Sequence, residues 1–153
     1  REYRLKEALS GLQGYDYIVM DTPPSLNILT INALTASNFA LIPAQADIFS
    51  VQGITQLGQT IDAVKRYTNK DLQVLGIVLT RYSNRNILSR DLQQVIEDTA
   101  KSIHTKTYTQ NIREAIAIKE AQALRQDIFS YDAKGNATQD YGNLFQEIWQ
   151  EIQ

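Results

Sequence analysis

The sequence contains no cysteine and only one histidine, and both shortages exclude chemistry. Without cysteine there can be no disulfide, no thiolate metal site and no cysteine nucleophile. A histidine-rich zinc site or a Ser-His-Asp triad would have to rest on His104 alone. Its setting, "KSIHTKTY", is typical of a helix end, where a surface histidine is the common case. The absence of cysteine also suits a reducing compartment.

The sequence also lacks a glycine-rich phosphate loop, long apolar runs and a strong charge of either sign. Its seven glycines form no cluster, and none is followed by lysine. A phosphate-binding loop needs glycines for close backbone approach and a lysine for the phosphates. No run of about 18 apolar residues, long enough to span a membrane, is present. The net charge of −2 gives no general attraction to nucleic acid or anionic lipid, so such binding would need a local patch.

What the sequence does contain is a series of short apolar runs separated by helical patterns. The runs at 17–20, 39–44 and 74–80 predict buried strands, and a short extended segment is predicted at 107–109. Apolar residues at helical spacing predict helices at 2–12, 24–37, 51–64, 88–103, 112–124 and 141–152. Strands without polar alternation, separated by helices, indicate an α/β fold with a parallel sheet flanked by helices. We expect residues 1–153 to belong to one domain.

Ligands of such sheets bind at the carboxyl ends of the strands, here at 21–25, 43–47 and 80–85. The most distinctive of these ends is in "YDYIVMDTPPSLN", where an apolar run stops at Asp21 and two prolines follow. A carboxylate at this point can orient a water on nucleotide-bound Mg²⁺, as in a Walker B motif. The other interpretation is that Asp21 caps a helix or forms a turn.

The longer pattern resembles the ParA family of partition ATPases, in the deviant-Walker P-loop group with the Soj and MinD proteins. The resemblance extends from about residue 15 to residue 144 and is carried by the blocks "YDYIVMDTPPSL", "LTINALTAS", "LIPAQADIFSVQGITQL", "VLGIVLTRYSNRNILSRDL", "NIREAIAIKEAQAL" and "IFSYDAKGNATQDYGNL". It implies a P-loop NTPase fold, of which this chain would be the C-terminal part without the P-loop. We therefore expect a portion of a longer ATPase that hydrolyses no ATP by itself.

The resemblance also implies an ATP and Mg²⁺ site. Asp21 matches the Walker B aspartate that holds Mg²⁺ through water, and Thr22 and Pro23 lie near the γ-phosphate. The loop "LTRYSNR" matches one that lies against the adenine, with three candidate contacts: Thr80, Arg81 and Tyr82. A second adenine-side loop matches "TQNIRE", with Asn111 as the candidate contact. In this loop the family usually has a proline, and Thr109 and Gln110 occupy that stretch instead.

Members of the family dimerise with ATP and then bind DNA without sequence preference. The resemblance implies that Arg85 and Arg113 contact DNA, and Lys119 and Arg125 lie close to them in sequence. Flexible cations on one face suffice for phosphate contacts, although solvated surface charge is the alternative interpretation for each. The implied partner is a centromere-binding protein of the ParB type, and the implied location is the nucleoid in the cytoplasm.

Two other functions remain open from the sequence. The first is a MinD-like ATPase at the membrane surface, which would need basic residues beside the apolar face of the last helix. The charges of that helix are the acidic Asp140, Glu147 and Glu151, so we expect its apolar stripe to pack on the domain and no membrane to bind. The second is a non-catalytic interaction module that kept the fold and lost the P-loop.

Overall fold

The computed structural model describes residues 1–83 and 87–153. Its elements follow the predicted order, except that no strand is assigned at 17–20 and a short helix at 128–131 was not predicted. They are α1 (Arg4–Leu9), α2 (Ile28–Ala36), β1 (Phe39–Ala44), α3 (Ile48–Tyr67), β2 (Gln73–Leu79), α4 (Ile87–Ser102), α5 (Ile116–Ala123), α6 (Ile128–Tyr131) and α7 (Asn136–Ile152). Two compact units are distinguished. One comprises Arg1–Ala40 and Thr55–Val74, and the other comprises Leu41–Ile54 and Leu75–Gln153.

Strands β1 and β2 pair in parallel, as predicted. The Gln73 N–H donates to the Asn38 carbonyl at 2.9 Å, and the Thr80 N–H donates to the Ala44 carbonyl at 2.8 Å. From the first hydrogen bond to the second, the residue numbers rise in both strands, so the strands run parallel. The two strands differ in cover. Strand β2 is buried on both faces from residue 75 onward, whereas side chains on one face of β1 are exposed.

Residues 106–113 extend the sheet on the other side of β2. The Ile77 N–H donates to the Lys106 carbonyl, and the Tyr108 N–H donates back to the Ile77 carbonyl, both at 2.8 Å. Further along, the Ile112 N–H donates to the Leu79 carbonyl at 2.8 Å. The extended segment predicted at 107–109 is therefore confirmed, and its pairing with β2 continues beyond the predicted end.

Gly76 permits the close approach of this segment to β2. A Cβ at this position would lie 2.8 Å from Cε2 of Tyr108 and 3.1 Å from the Lys106 carbonyl oxygen. The shorter of these distances is closer than real Cβ contacts come, so a larger residue would require the Tyr108 ring or the backbone of the segment to shift. The close packing of Tyr108 and Lys106 thus explains why a glycine occupies this position in "VLGIVLT".

A hydrophobic core joins the sheet to the last helix within the unit Leu41–Ile54 and Leu75–Gln153. It contains Leu75, Val78, Tyr108, Ile112 and Leu144, and the half-buried residues packed against it are Ile118, Tyr141, Ile148 and Ile152. The predicted packing of the α7 stripe is confirmed for its members Tyr141, Leu144, Ile148 and Ile152. Phe145 is instead 52% exposed, and its ring stacks on Trp149 with centroids 5.6 Å apart.

The unit Arg1–Ala40 and Thr55–Val74 packs α1 against α2. The Leu5 N–H donates to Oδ1 of Asn32 at 3.3 Å. The side-chain amide of Asn69 donates to the Leu34 carbonyl at 2.9 Å and to the Ser37 carbonyl at 2.7 Å. These bonds satisfy the carbonyls at the C-terminal end of α2, which has no intrahelical donors for them.

The prediction of a buried strand at 17–20 is wrong. No strand is assigned there, and Tyr17, Ile18 and Val19 are 53%, 46% and 94% exposed. A strand requires a neighbour to pair its N–H and C=O groups, and the sheet within residues 1–83 and 87–153 provides none beside this run. Apolar character alone therefore did not decide its structure.

Helix α2 begins later than the sequence predicted. It starts at Ile28 rather than near Pro24, and Asn27 is its N-cap, with Oδ1 accepting from the Leu29 N–H at 2.9 Å. The Asn27 side chain also donates to the Ser25 hydroxyl at 2.8 Å. An asparagine cap outcompetes proline as the start signal because it satisfies a backbone N–H that the helix cannot.

Candidate functional site

A cavity of about 690 Å³ lies between the loop after β2 and the segment that leads to α5. Residues of three kinds form its wall. Tyr82 and Ser83 come from the loop after β2, five polar residues come from the segment that leads to α5, and Asp140 comes from α7. The residues of the last two groups are Thr109, Gln110, Asn111, Arg113, Glu114 and Asp140. We call this cavity the base-side pocket.

Asn111 lines this pocket and carries an unused acceptor. Its Oδ1 is buried and has no hydrogen-bond partner among the described residues. The neighbouring Gln110 side chain donates to the Asn111 backbone carbonyl at 2.7 Å, which fixes the backbone but not the amide oxygen. A buried acceptor without a donor is costly, so it indicates a position that a ligand or a water would satisfy.

Arg113 and Asp140 form a two-pronged ion pair on the wall of the pocket. Nε of Arg113 lies 2.7 Å from Oδ2 of Asp140, and Nη2 lies 2.8 Å from Oδ1. Asp140 is 4% exposed. Burial alone would raise the pKa of Asp140, but the hydrogen bonds and charge of Arg113 outweigh it, so the pKa of this carboxyl is lowered.

A second ionic cluster lies on the exposed side of the same segment. Glu114 is 3.2 Å from Nη2 of Arg81 and 2.9 Å from Nζ of Lys119. The hydrogen bond and charge of Lys119, followed by those of Arg81, lower the pKa of Glu114. Arg81 has a φ of +50°, a left-handed conformation that is uncommon for a residue with a Cβ. The turn after β2 thus directs the Arg81 side chain to Glu114.

The predicted adenine contacts divide between two cavities. Tyr82 and Asn111 share the base-side pocket. Thr80 and Arg81 instead line a cavity of about 440 Å³ whose wall also includes Ile118 of α5. The Thr80 hydroxyl donates to the Ala44 carbonyl at 3.3 Å, so it faces β1.

Asp21 lies in a different cleft, of about 840 Å³, within the unit Arg1–Ala40 and Thr55–Val74. Thr22 and Pro23 share the cleft with it, and the other lining residues are mostly apolar, with Arg1, Arg4 and Asn32 as the polar ones. The carboxylate is exposed and accepts no hydrogen bond from the described residues. Asp21, Thr22 and Pro23 are consecutive in sequence and line one cleft without following a strand, and their catalytic role stays a prediction.

The cations predicted to contact DNA have different surroundings. Arg113 is held by Asp140 and Lys119 by Glu114, although both cations are at least half exposed. Arg125 is exposed beyond the C-terminal end of α5, with a φ of +54°, and forms no ion pair with the described residues. Arg85 lies outside the described residues.

Sequence reasoning missed Asp140 as a site residue. A signal for it existed, because Asp140 precedes Leu144 by four residues and so shares the buried face of α7. A charged residue on an apolar helical face usually has a partner. The partner, Arg113, is 27 residues away in the sequence and could not be identified from spacing.

Two classes of site are missing from the described part of the chain. In residues 1–83 and 87–153, no three acidic or histidine side chains cluster in a way that could hold a metal ion. Within the same ranges, every helix is too short or too polar to cross a membrane.

Solved structures define the class of fold. The chain superimposes on McdA from Cyanothece with a TM-score of 0.83 at 18% identity, covering 96% of this chain and 59% of that one. It also matches cobyrinic acid a,c-diamide synthase from Mycobacterium smegmatis, in a structure with bound ADP and magnesium. There the TM-score is 0.66 at 36% identity, and the match covers 74% of this chain and 46% of that one. The chain has the α/β fold of the P-loop NTPases, with helices flanking a parallel sheet.

Sequence matches then define the family. A family model described as an AAA domain matches residues 1–74. The chromosome partitioning protein ParA of Caulobacter vibrioides is 37% identical over 151 residues, 97% of this chain and 55% of that protein. The sporulation initiation inhibitor protein Soj of Bacillus subtilis is 39% identical over 149 residues, 97% and 58% of the two chains. The resemblance is confirmed: the chain belongs with the ParA and Soj proteins, and it spans somewhat more than half of their length.

Proposed function

We propose that the chain supplies the base-binding side and the Walker B aspartate of an ATP–Mg²⁺ site in a partition ATPase. The observation that carries this proposal is the buried, unpaired Oδ1 of Asn111 in the base-side pocket. The amino group of adenine is a donor and would satisfy this acceptor. Guanine carries an oxygen at the same ring position and would leave the acceptor unpaired.

The charges of the base-side pocket favour a base over a phosphate. Its charged side chains are Arg113, Glu114 and Asp140, and the guanidinium is already engaged by Asp140. A phosphate would therefore meet excess negative charge, whereas a neutral base with donor groups would not. The volume of about 690 Å³ is within the range of pockets for small ligands.

Asp21 fits a magnesium ion that is held mainly by water and phosphate. It is the only acidic side chain among the residues that line its cleft. Mg²⁺ usually keeps several waters and takes one or two carboxylates together with substrate phosphates, so one aspartate suits it. When bound, the ion supplies charge neutralisation to the phosphates. Asp21 would accept a hydrogen bond from a metal-bound water, with Thr22 and Pro23 beside it.

Hydrolysis needs groups that these 153 residues do not include. No glycine-rich loop with a lysine occurs in the sequence. We therefore expect the chain alone to hydrolyse no ATP, and the full-length protein to do so with the phosphate-binding loop supplied from outside these residues. Metal-dependent turnover by the 153-residue chain, above that of its Asp21→Asn variant, would contradict this division of roles.

The test of base recognition is a titration of full-length protein with ATP and GTP. Asn111→Ala should weaken ATP binding by about tenfold and GTP binding less, because only adenine donates to Oδ1. Asn136→Ala, an exposed change at the start of α7, is the matched control and should leave both affinities unchanged. Equal losses for the two nucleotides would show that Asn111 does not read the base.

The proposed function includes a dimer that binds DNA without sequence preference and acts with a ParB-type partner. Lys119 and Arg125 are the described cations of α5 and its end that are most available for phosphate contacts. Neutralising both with glutamine should weaken ATP-dependent DNA binding and flatten its salt dependence by about two charges. Lys70→Gln, an exposed cation in the other unit, is the control. An unchanged salt dependence in the double variant would exclude this surface.

A further inference from the structure

Asp140 is a charged residue on the buried face of α7, and all its bonds go to one segment. Its carboxylate accepts from Nε and Nη2 of Arg113 at 2.7 and 2.8 Å and from the Arg113 backbone N–H at 3.1 Å. It also accepts from Nε2 of Gln110 at 3.2 Å. Residues 110 and 113 enclose Asn111, so one carboxylate on α7 holds both flanks of the predicted base contact.

A second α7 side chain contributes to the same arrangement. The Asn143 amide donates to Oε1 of Gln110 at 3.3 Å, while Nε2 of Gln110 donates to the Asn111 carbonyl at 2.7 Å. The backbone on the far side of Asn111 is fixed by the sheet, where the Tyr82 N–H donates to the Ile112 carbonyl at 3.0 Å. Asn111 therefore lies between a segment anchored to α7 and a segment anchored to the end of β2.

The geometry of the Arg113 pair distinguishes positioning from simple charge neutralisation. The planar guanidinium meets both oxygens of the carboxylate in parallel, and this fixes orientation as well as distance. Lysine would keep the charge but could not reproduce the two-pronged contact. An arginine held in this way is also less available for DNA phosphates than a free surface cation.

We propose that Asp140 is a positioning residue for base recognition: it locks residues 110–113 so that Oδ1 of Asn111 faces the pocket. Arg113 acts with it as part of the pocket wall rather than as a DNA contact. This inference rests on the proposed function, since it assumes that a nucleotide base enters the base-side pocket. It extends that function by assigning nucleotide selectivity to a residue that does not touch the nucleotide.

The test measures ATP and GTP affinities of the full-length protein and of two variants. Asp140→Asn removes the negative charge that orients Arg113. Arg113→Lys keeps the positive charge but removes the two-pronged contact with Asp140. Both should reduce the preference for ATP over GTP by about three- to tenfold, the cost of ordering one or two side chains on binding. Asp98→Asn is the matched control, because Asp98 pairs with Lys101 on the exposed surface, and it should keep the preference.

The DNA measurement separates the two roles of Arg113. Arg113→Gln removes the charge as well as the two-pronged contact. If Arg113 is a wall residue, Arg113→Gln loses base preference while ATP-dependent DNA affinity at saturating ATP stays within about twofold of wild type, and a larger loss would show that Arg113 contacts DNA. If Asp140→Asn does not fold, Arg113→Lys, at a half-exposed position, decides the result. Unchanged base preference in Arg113→Lys or in folded Asp140→Asn would overturn the inference alone. A wild-type protein that binds no nucleotide would overturn the proposed function itself.

Discussion

The segment around Asn111 and the segment around Asp21 are both predicted to meet the nucleotide, but they are held in opposite ways. Residues 106–113 pair with β2 through backbone bonds of 2.8 to 3.0 Å, and α7 covers them. Residues 17–20 have no strand structure, and Val19 is 94% exposed. Residues 106–113 are thus held by the sheet and by α7, whereas residues 17–20 are not part of the sheet among the described residues.

The difference follows from where each segment finds its partners. The strand β2 has a neighbour on both sides, β1 on one and the 106–113 segment on the other. The run at 17–20 has the composition of a strand but is not assigned to the sheet within the described residues. A strand is stabilised by hydrogen bonds to a neighbouring strand and by side chains packed on its faces. A strand-like composition therefore leads to a strand only when both are present. Two segments with strand-like sequences can therefore differ in structure when only one of them pairs with a strand.

The strongest test of this comparison is a matched truncation in the two segments. Ile77 is 0% exposed and Ile18 is 46% exposed. Ile77→Ala should lower the free energy of unfolding by about 2–5 kcal/mol, because it opens a cavity in the core. Ile18→Ala should change it by less than about 1 kcal/mol. Urea unfolding of both variants measures this, and equal losses would show that residues 17–20 are packed in solution.

The next largest effect is expected at Asp140, and it depends on pH. The pKa of its carboxyl is lowered in the folded chain, so the carboxylate stabilises the fold above the unfolded-state pKa of about 3.9. This stabilisation is lost as the pH falls through the folded-state value. Asp140→Asn should therefore be less stable than wild type at pH 7, and the difference should shrink below about pH 4.

Thermal unfolding of both proteins from pH 7 to pH 3 measures this dependence. Asp98→Asn is again the control, since its carboxylate is exposed and its pair with Lys101 is screened by solvent. A stability difference for Asp140→Asn that persisted unchanged at pH 3 would show that shape, and not charge, holds residues 110–113.

Gly76 provides a test confined to the segment that pairs with β2. Gly76→Ala would place a Cβ 2.8 Å from Cε2 of Tyr108 and should destabilise the protein by about 1–3 kcal/mol through overpacking. Gly53→Ala, within α3 where nothing lies within 4 Å, should instead stabilise it by about 0.5–1 kcal/mol. Chemical denaturation of the pair measures the sign of each change. A neutral Gly76→Ala would mean that residues 106–108 move away from β2 at little cost.

Much of the fold could be predicted from the sequence because its signals are local. The apolar runs of β1 and β2 and the stripe of α7 lie where the periodicity indicated, and two residues that the resemblance assigned to the adenine, Tyr82 and Asn111, line one pocket. These features depend on spacing within one element or on a match of motifs. They required no knowledge of which distant residues meet.

The remaining features depend on distant contacts. The run at 17–20 was predicted as a strand because its composition carries no information about a pairing partner. Asp140 was missed because its burial depends on Arg113, and the ion pair of Arg81 with Glu114, at a left-handed turn, was not visible in the sequence. In each case a tertiary interaction, and not local propensity, decided where the side chain lies.

The smallest expected effect tests the Asp21 side. Asn27 caps α2, the helix that follows Asp21, by accepting from the Leu29 N–H at 2.9 Å. Asn27→Ala should lower the free energy of unfolding by about 1 kcal/mol, because that N–H loses its acceptor. Asn136→Ala, at the first position of α7 where Gly135 is the cap, should be neutral or slightly stabilising, since alanine is the better helix former. Urea unfolding distinguishes the two. If Asn27→Ala had no effect, the Asn27 cap would not hold the start of α2 in solution, and the stretch without regular structure would extend from 17–20 to the first turn of the helix.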